Sequence, residues 1–135
     1  MGCIAASGGK GRLFGAESGR QAVEFAKKNA ARLGVPATFA AGETGRMLKK
    51  IPFSPSSTVV CDPPRSGLER GVAEALVRSP ASRFIMVGCD VATLARDVSK
   101  FTRDFDVESV TWFNMFPRTA SFETMVCLSR KTLRA

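Results

Sequence analysis

One thiol and three carboxylates carry the chemical potential of this sequence. Cys89 closes an apolar run and stands at a helix start, in Gly88-Cys89-Asp90-Val91-Ala92-Thr93-Leu94-Ala95-Arg96-Asp97. A thiolate at a helix N-terminus is stabilised by free N–H groups and the helix dipole, and a nearby Arg65 or Arg96 would add to that. The chemistry implied is nucleophilic attack. The alternative for Cys89 is a small buried hydrophobe, the role read for Cys61 and Cys127 inside strands. Glu123 opens the last strand among apolar residues, where burial would raise its pKa and suit it to general-base work. As a strand-edge carboxylate it would instead pair with Arg118. Glu17 ends an early strand just before a helix, where an acid can accept hydrogen bonds from the ribose hydroxyls of a nucleoside cofactor. Alone, it reads as a surface acid. Asp62 begins Asp62-Pro63-Pro64-Arg65. Its two prolines lock an extended turn without donors, a rigid loop able to hold a planar group, or an ordinary proline-rich turn.

What the sequence lacks narrows the chemistry. It has no histidine, and its four cysteines form no CxxC pair. That argues against zinc and against a disulfide framework, and fits a reducing compartment, cytoplasmic or organellar. Gly8-Gly9-Lys10-Gly11 lacks the flanking residues of a P-loop, and the spacing from Cys89 to Arg96 is one too long for a phosphatase loop. No apolar run approaches the ~18 residues that cross a bilayer. Residues 1–11, with one Lys and no Arg, do not read as a signal or transit peptide. The formal charge is +8, and residues 1–50 hold nine Lys/Arg against three Asp/Glu. Such a surface attracts polyanions such as RNA, although Lys27, Lys28 and Arg32 would also suit a solvated helix face.

These residues need a scaffold, and the chain alternates short strands and helices as one domain over residues 1–135. Strands are expected at Arg12–Glu17, Ala37–Ala41, Thr58–Cys61, Arg83–Val87, Val107–Phe113 and Thr124–Ser129. Helices are expected from Ser18, as cap, to Leu33, at Glu69–Arg78, and from Val91 to about Phe101 with Asp90 as cap. In the first helix Ala22, Phe25, Ala26, Ala30 and Leu33 would share one face, with Gly34-Val35-Pro36 as the stop. The Asp-Pro-Pro run ends the third strand, since no helix or central strand contains it. Alternation implies an α/β fold, a mostly parallel sheet with an antiparallel hairpin at its C-terminal edge. Ligands then lie off the carboxyl ends of the strands, which selects Glu17, Gly42–Glu43, Asp62–Arg65 and Gly88–Asp90.

Together these residues resemble the RNA uracil-5-methyltransferase family, which uses S-adenosyl-L-methionine to modify tRNA and rRNA. The resemblance runs from about Gly11 to Arg130. It is densest in Asp62-Pro63-Pro64-Arg65-Ser66-Gly67-Leu68, in Cys89–Asp97, and from Met115-Phe116-Pro117 to Glu123-Thr124. It implies that Cys89 adds to C6 of uracil, that Glu123 removes the C5 proton, and that Glu17 and Asp62 contact the cofactor, with no metal and no membrane. Arg65 stands where amino-group methyltransferases carry a stacking aromatic, which argues against an exocyclic amine target. Some positions depart from the family: Asp90-Val91 for Asn-Pro, Asn114 for Asp, Arg118 for Gln, Ser121 for His.

The resemblance also implies a class I methyltransferase (Rossmann-like) sheet, N-terminally truncated. The family's glycine-rich first strand and loop would precede Met1, and Met1–Gly11 would be the tail of the next helix. A missing central strand would leave two edges open to self-association or to a partner chain completing the sheet. A non-catalytic relative, a methyltransferase-like subunit binding RNA or a ribonucleoprotein, is the second reading.

Overall fold

The computed structural model describes residues 3–7, 12–119 and 122–132; the Gly8–Gly11 run, Ala120 and Ser121 lie outside them. The chain runs β1 (Cys3–Ser7), β2 (Leu13–Glu17), α1 (Arg20–Arg32), β3 (Ala37–Ala41), α2 (Thr44–Leu48) and β4 (Ser57–Cys61). It continues through α3 (Val72–Arg78), β5 (Arg83–Gly88), α4 (Val91–Ser99), β6 (Phe105–Phe113) and β7 (Glu123–Arg130). Among the described residues seven strands form one sheet in the order β3-β2-β1-β4-β5-β7-β6.

Local chemistry explains most of the boundaries. The β-branched run of β4 buries Ser57, Val59 and Cys61 on one side and stops at Asp62-Pro63-Pro64, as expected. Asp90 caps α4, its Oδ1 accepting the Thr93 N–H at 2.7 Å. Gly34, with φ 65°, ends α1: its N–H reaches the Ala31 carbonyl and that of Val35 the Ala30 carbonyl, so two orphan carbonyls are satisfied. Gly71, with φ 82°, delays α3 to Val72, past the expected Glu69.

The sheet is mixed rather than mostly parallel. β2 pairs with β3 and β4 with β5 in parallel, while β1 runs antiparallel to both β2 and β4. β7 is antiparallel to β5 and to β6, which leaves β6 as the C-terminal edge. β1 overturns two expectations. Residues 3–7 form a strand, not a helix tail, and the place between β2 and β4 is filled rather than open. Rows of free N–H and C=O groups on β2 and β4 are strong templates, and a short apolar stretch pairs with both.

Right-handed crossovers place α1 and α3 on opposite faces, because β2–α1–β3 and β4–α3–β5 progress in opposite directions across the sheet. The core lies under α3 and α4, where Val59, Leu76, Met86, Leu94 and Leu128 pack around Phe84, Phe101 and Phe105. The ring centroids of this aromatic trio are 5.0–5.9 Å apart. The Arg130 guanidinium covers Phe105 at 4.4 Å and donates to the carbonyls of Val77, Ser79 and Ala81.

Two further expectations at α1 fail for one local reason each. Ser18 is not its cap. The Glu17 carboxylate captures the Ser18 hydroxyl and the Gly19 N–H, and Gly19 takes the cap position. The buried residue is Val23, whereas Phe25 and Leu33 are 56% and 69% exposed, because α1 packs against β2 and β3 one residue round from the expected face.

Candidate active site

The four candidate residues gather at the carboxyl ends of the parallel strands. Glu17 is the last residue of β2, and its Oε1 accepts the Gly19 N–H at 2.9 Å and the Ser18 hydroxyl at 3.1 Å. The Gly19 bond in particular holds this carboxyl below its ordinary range, so Glu17 presents a set anionic acceptor. Asp62 follows β4 directly, and burial pushes its carboxyl up. The two acids flank the end of β1, whose Cys3 is in register with Cys61.

Cys89 is a half-buried free thiol one residue before the Asp90 cap. Of the helix N-terminal N–H groups expected to serve its thiolate, that of Thr93 is taken by Asp90, whose carboxyl is thereby held low. Arg96, also expected to help the thiol, is committed elsewhere. Its Nη2 donates to the Ser66 carbonyl at 2.9 Å and pairs with Asp97 at 3.1 Å. Arg65 is exposed and close enough to Asp90 to help hold that carboxyl low, behind the Thr93 bond.

Glu123 is the half-buried first residue of β7. The last registered pair of β5 and β7 is Gly88 with Thr124. Cys89 is the bend residue just after Gly88, and Glu123 is the residue just before Thr124. Among the described residues no ion pair joins Glu123 to Arg118. The buried Thr124 hydroxyl beside Glu123 has no hydrogen-bond partner there.

A cleft runs between the Pro63–Gly67 loop and the Gly88–Thr93 turn, with Cys89 in its wall. The loop is pinned by groups that the sequence reading did not single out. Asp97, 1% exposed, accepts the Leu68 N–H at 2.7 Å and pairs with Arg96 and with Lys100 at 3.4 Å. Gly67, with φ +85°, turns the loop against this carboxylate. A Cβ there would strike Arg96 Nη2 and Asp97 Oδ2. A signal for Asp97 existed: it occupies a core-facing place of α4, three residues from Leu94 and four from Phe101, where an acid must be bound by something.

Among the described residues no cluster of His, Cys, Asp and Glu could hold a metal, and no helix is long and apolar enough to cross a membrane.

Helices on both faces of the sheet, β7 inserted antiparallel between β5 and β6, and a site at the strand carboxyl ends define the class I methyltransferase fold. Residues 44–131 match the family tRNA (Uracil-5-)-methyltransferase, and the chain belongs to it. An RNA methyltransferase of Enterococcus faecalis, itself uncharacterized, is 40% identical over 114 residues, covering 82% of this chain and 25% of that protein. A counterpart in Nitratidesulfovibrio vulgaris is 34% identical over 125 residues, covering 88% and 27%. The crystal structure of Pyrococcus abyssi tRNA (uracil-54, C5)-methyltransferase with S-adenosyl-L-homocysteine superposes with a TM-score of 0.73 at 29% identity, over 85% of this chain and 28% of that one. The chain thus spans about a quarter of the length of these relatives. The matched segment contains Asp62, Cys89 and Glu123; Glu17 lies before it.

Proposed function

We propose that this chain carries the catalytic residues of an S-adenosyl-L-methionine-dependent methylation of uridine C5 in tRNA or rRNA. The observation that supports this reading is Cys89 in the wall of the cleft against the Pro63–Gly67 loop, directly after the Gly88–Thr124 pair that Glu123 precedes in β7. C5 of uracil is a poor nucleophile. The Cys89 thiolate adds to C6, and the displaced π electrons become an enolate whose nucleophilic carbon is C5. The cofactor, when bound, supplies an electrophilic methyl group to that carbon. Glu123 then takes the C5 proton, the C5–C6 double bond re-forms, and the C6–S bond breaks to return the Cys89 thiolate. A reducing compartment suits this free thiol.

The residues present fit the nucleoside half of the cofactor. Glu17, already anionic and fixed by Gly19, is an acceptor for a ribose diol, and Asp62 lies across the end of β1 from it. One observation favours a second reading, a non-catalytic RNA-binding relative. β1 runs antiparallel, so no strand-to-helix turn follows it at the cofactor end to offer backbone N–H groups.

RNA containing 5-fluorouridine separates the two readings, because fluorine at C5 cannot leave as a proton. With saturating S-adenosyl-L-methionine the chain should form an adduct stable to denaturing electrophoresis, and Cys89→Ala should not. An adduct that persists in Cys89→Ala removes the nucleophile assignment, and no adduct at saturation favours the non-catalytic relative.

A further inference from the structure

Most of the exposed large apolar side chains among the described residues fall in one stretch, 107–122, comprising most of β6, the β6–β7 loop and the residue before β7. Trp112 is 72% exposed, Met115 64% and Phe116 48%. Phe122 lies beside Trp112, with ring centroids 6.0 Å apart and planes inclined at 59°. Most of the indole is thus open to solvent. Such a patch on a soluble domain marks a contact surface.

Its place in the sheet indicates what it contacts. Trp112 is in register with Thr124 and Phe113 with Glu123, so the aromatic strip borders Glu123 and the residue opposite Gly88. From Ser109 to Phe122 the single charged residue is Arg118, a cation. The β6–β7 loop is shaped by the Phe116 carbonyl, which accepts both the N–H and the hydroxyl of Thr119. A second copy of the chain would bring the same charge of +8 to this face and be repelled, whereas a polyanion would be attracted.

We infer that Trp112 and Phe122 form a stacking platform for unpaired RNA bases next to the target uridine. This rests on the uridine-methylating reading for its substrate. A base that reaches Cys89 has left its stack, and its neighbours lose a stacking partner. An aromatic face at the Gly88–Thr124 level of the sheet replaces that partner without reading sequence, since every base offers a π-face. Arg118 stands by the same loop to meet the backbone phosphates.

Trp112 is the sole tryptophan of the chain, so its emission reports on this surface alone. Titration of the full chain with a short single-stranded oligouridylate should quench that emission along the binding curve read by anisotropy of a labelled strand. Trp112→Ala should weaken binding about fivefold to 150-fold, the span of a single base–aromatic stack, and Trp112→Phe should recover most of the loss. The same strand annealed to its complement should bind without quenching. The inference is overturned by single-strand binding without quenching, by undiminished single-strand binding in Trp112→Ala, or by no binding of the single strand at all. It is overturned too by an emission change that tracks protein concentration without RNA, which would assign the surface to protein contacts. None of these readings depends on methyl transfer, so failure of the Cys89 adduct and failure of the platform are separately visible.

Discussion

Replacing Asp97 with alanine tests whether the Asp62–Leu68 loop is held by α4 or merely lies on it. Three interactions are lost. The Leu68 N–H to Asp97 bond, at 2.7 Å onto a carboxylate that is 1% exposed, is of the kind that contributes about 1.5–3 kcal/mol. The partners in the two ion pairs, Arg96 and Lys100, have side chains 55% and 35% exposed. Solvent screens them, so each adds at most about 1 kcal/mol. The hydrogen bond to the loop therefore dominates, and the total is about 1.5–5 kcal/mol. Against the roughly 5–15 kcal/mol of a typical domain, that is a large fraction.

Urea unfolding followed by circular dichroism measures the loss, and hydrogen exchange at the Leu68 amide localises it. A loss below about 0.5 kcal/mol, the size of an ordinary surface change, with Leu68 protection unchanged, would refute the pinning. Gly67→Ala supplies the cross-check. Its Cβ, at φ +85°, runs into Arg96 Nη2 and Asp97 Oδ2. Part of its cost should therefore vanish in the Asp97→Ala background, whereas two independent sites would add.

Burial raises the Asp62 carboxyl. A carboxyl whose folded pKa lies above its unfolded one lowers stability above that pKa and ceases to do so as the pH falls through it. Asp62→Asn should thus raise the urea midpoint at pH 7, with a gain that fades on acidification; an unchanged midpoint at pH 7 would remove burial as the cause. Glu123→Gln should still alkylate the base but release it slowly, leaving a methylated RNA–protein adduct that mass spectrometry detects; unchanged turnover would show that another group takes the proton. Calorimetry on the 135-residue chain should find weak binding of S-adenosyl-L-methionine, because the antiparallel β1 brings no strand-to-helix turn to the cofactor end, and two or three amide contacts forgone at about 1.5–3 kcal/mol each lower affinity about a hundredfold or more; a micromolar affinity would refute this.

What the sequence made legible was local. Asp62-Pro63-Pro64 had to end a strand, Asp90 had to cap a helix, and Gly34 had to stop one, since each follows from the residue's own backbone or side chain. What it hid was relational. Five residues of β1 carry no periodicity to tell strand from helix end, and the decision lies with the edges of β2 and β4. Ser18 is a good cap by type, but Glu17 competes for the same donors. That Cys89 and Glu123 flank the same Gly88–Thr124 pair depends on the β5–β7 register, which no local pattern encodes. Trp112 falls within the expected strand Val107–Phe113, while its exposure follows from β6 being the edge strand.

The two halves of the site rest on different supports. The half that would act on the base is over-determined: six registered pairs join β5 to β7, Asp90 caps α4, and Asp97 with Arg96 fastens the proline loop to the same helix. Errors in any one of these are resisted by the others. The half that would hold the cofactor has Glu17 fixed by its own loop and Asp62 at the end of β4, and what lies between them is set by the direction of β1. A parallel strand in that place would deliver a turn and helix N-terminus to the carboxyl end of the sheet; the antiparallel β1 delivers its Cys3 end there instead. Base-side chemistry and cofactor affinity are therefore separable in this chain. A defect in methyl transfer with thiol reactivity and RNA binding intact would trace to β1, not to Cys89 or Glu123.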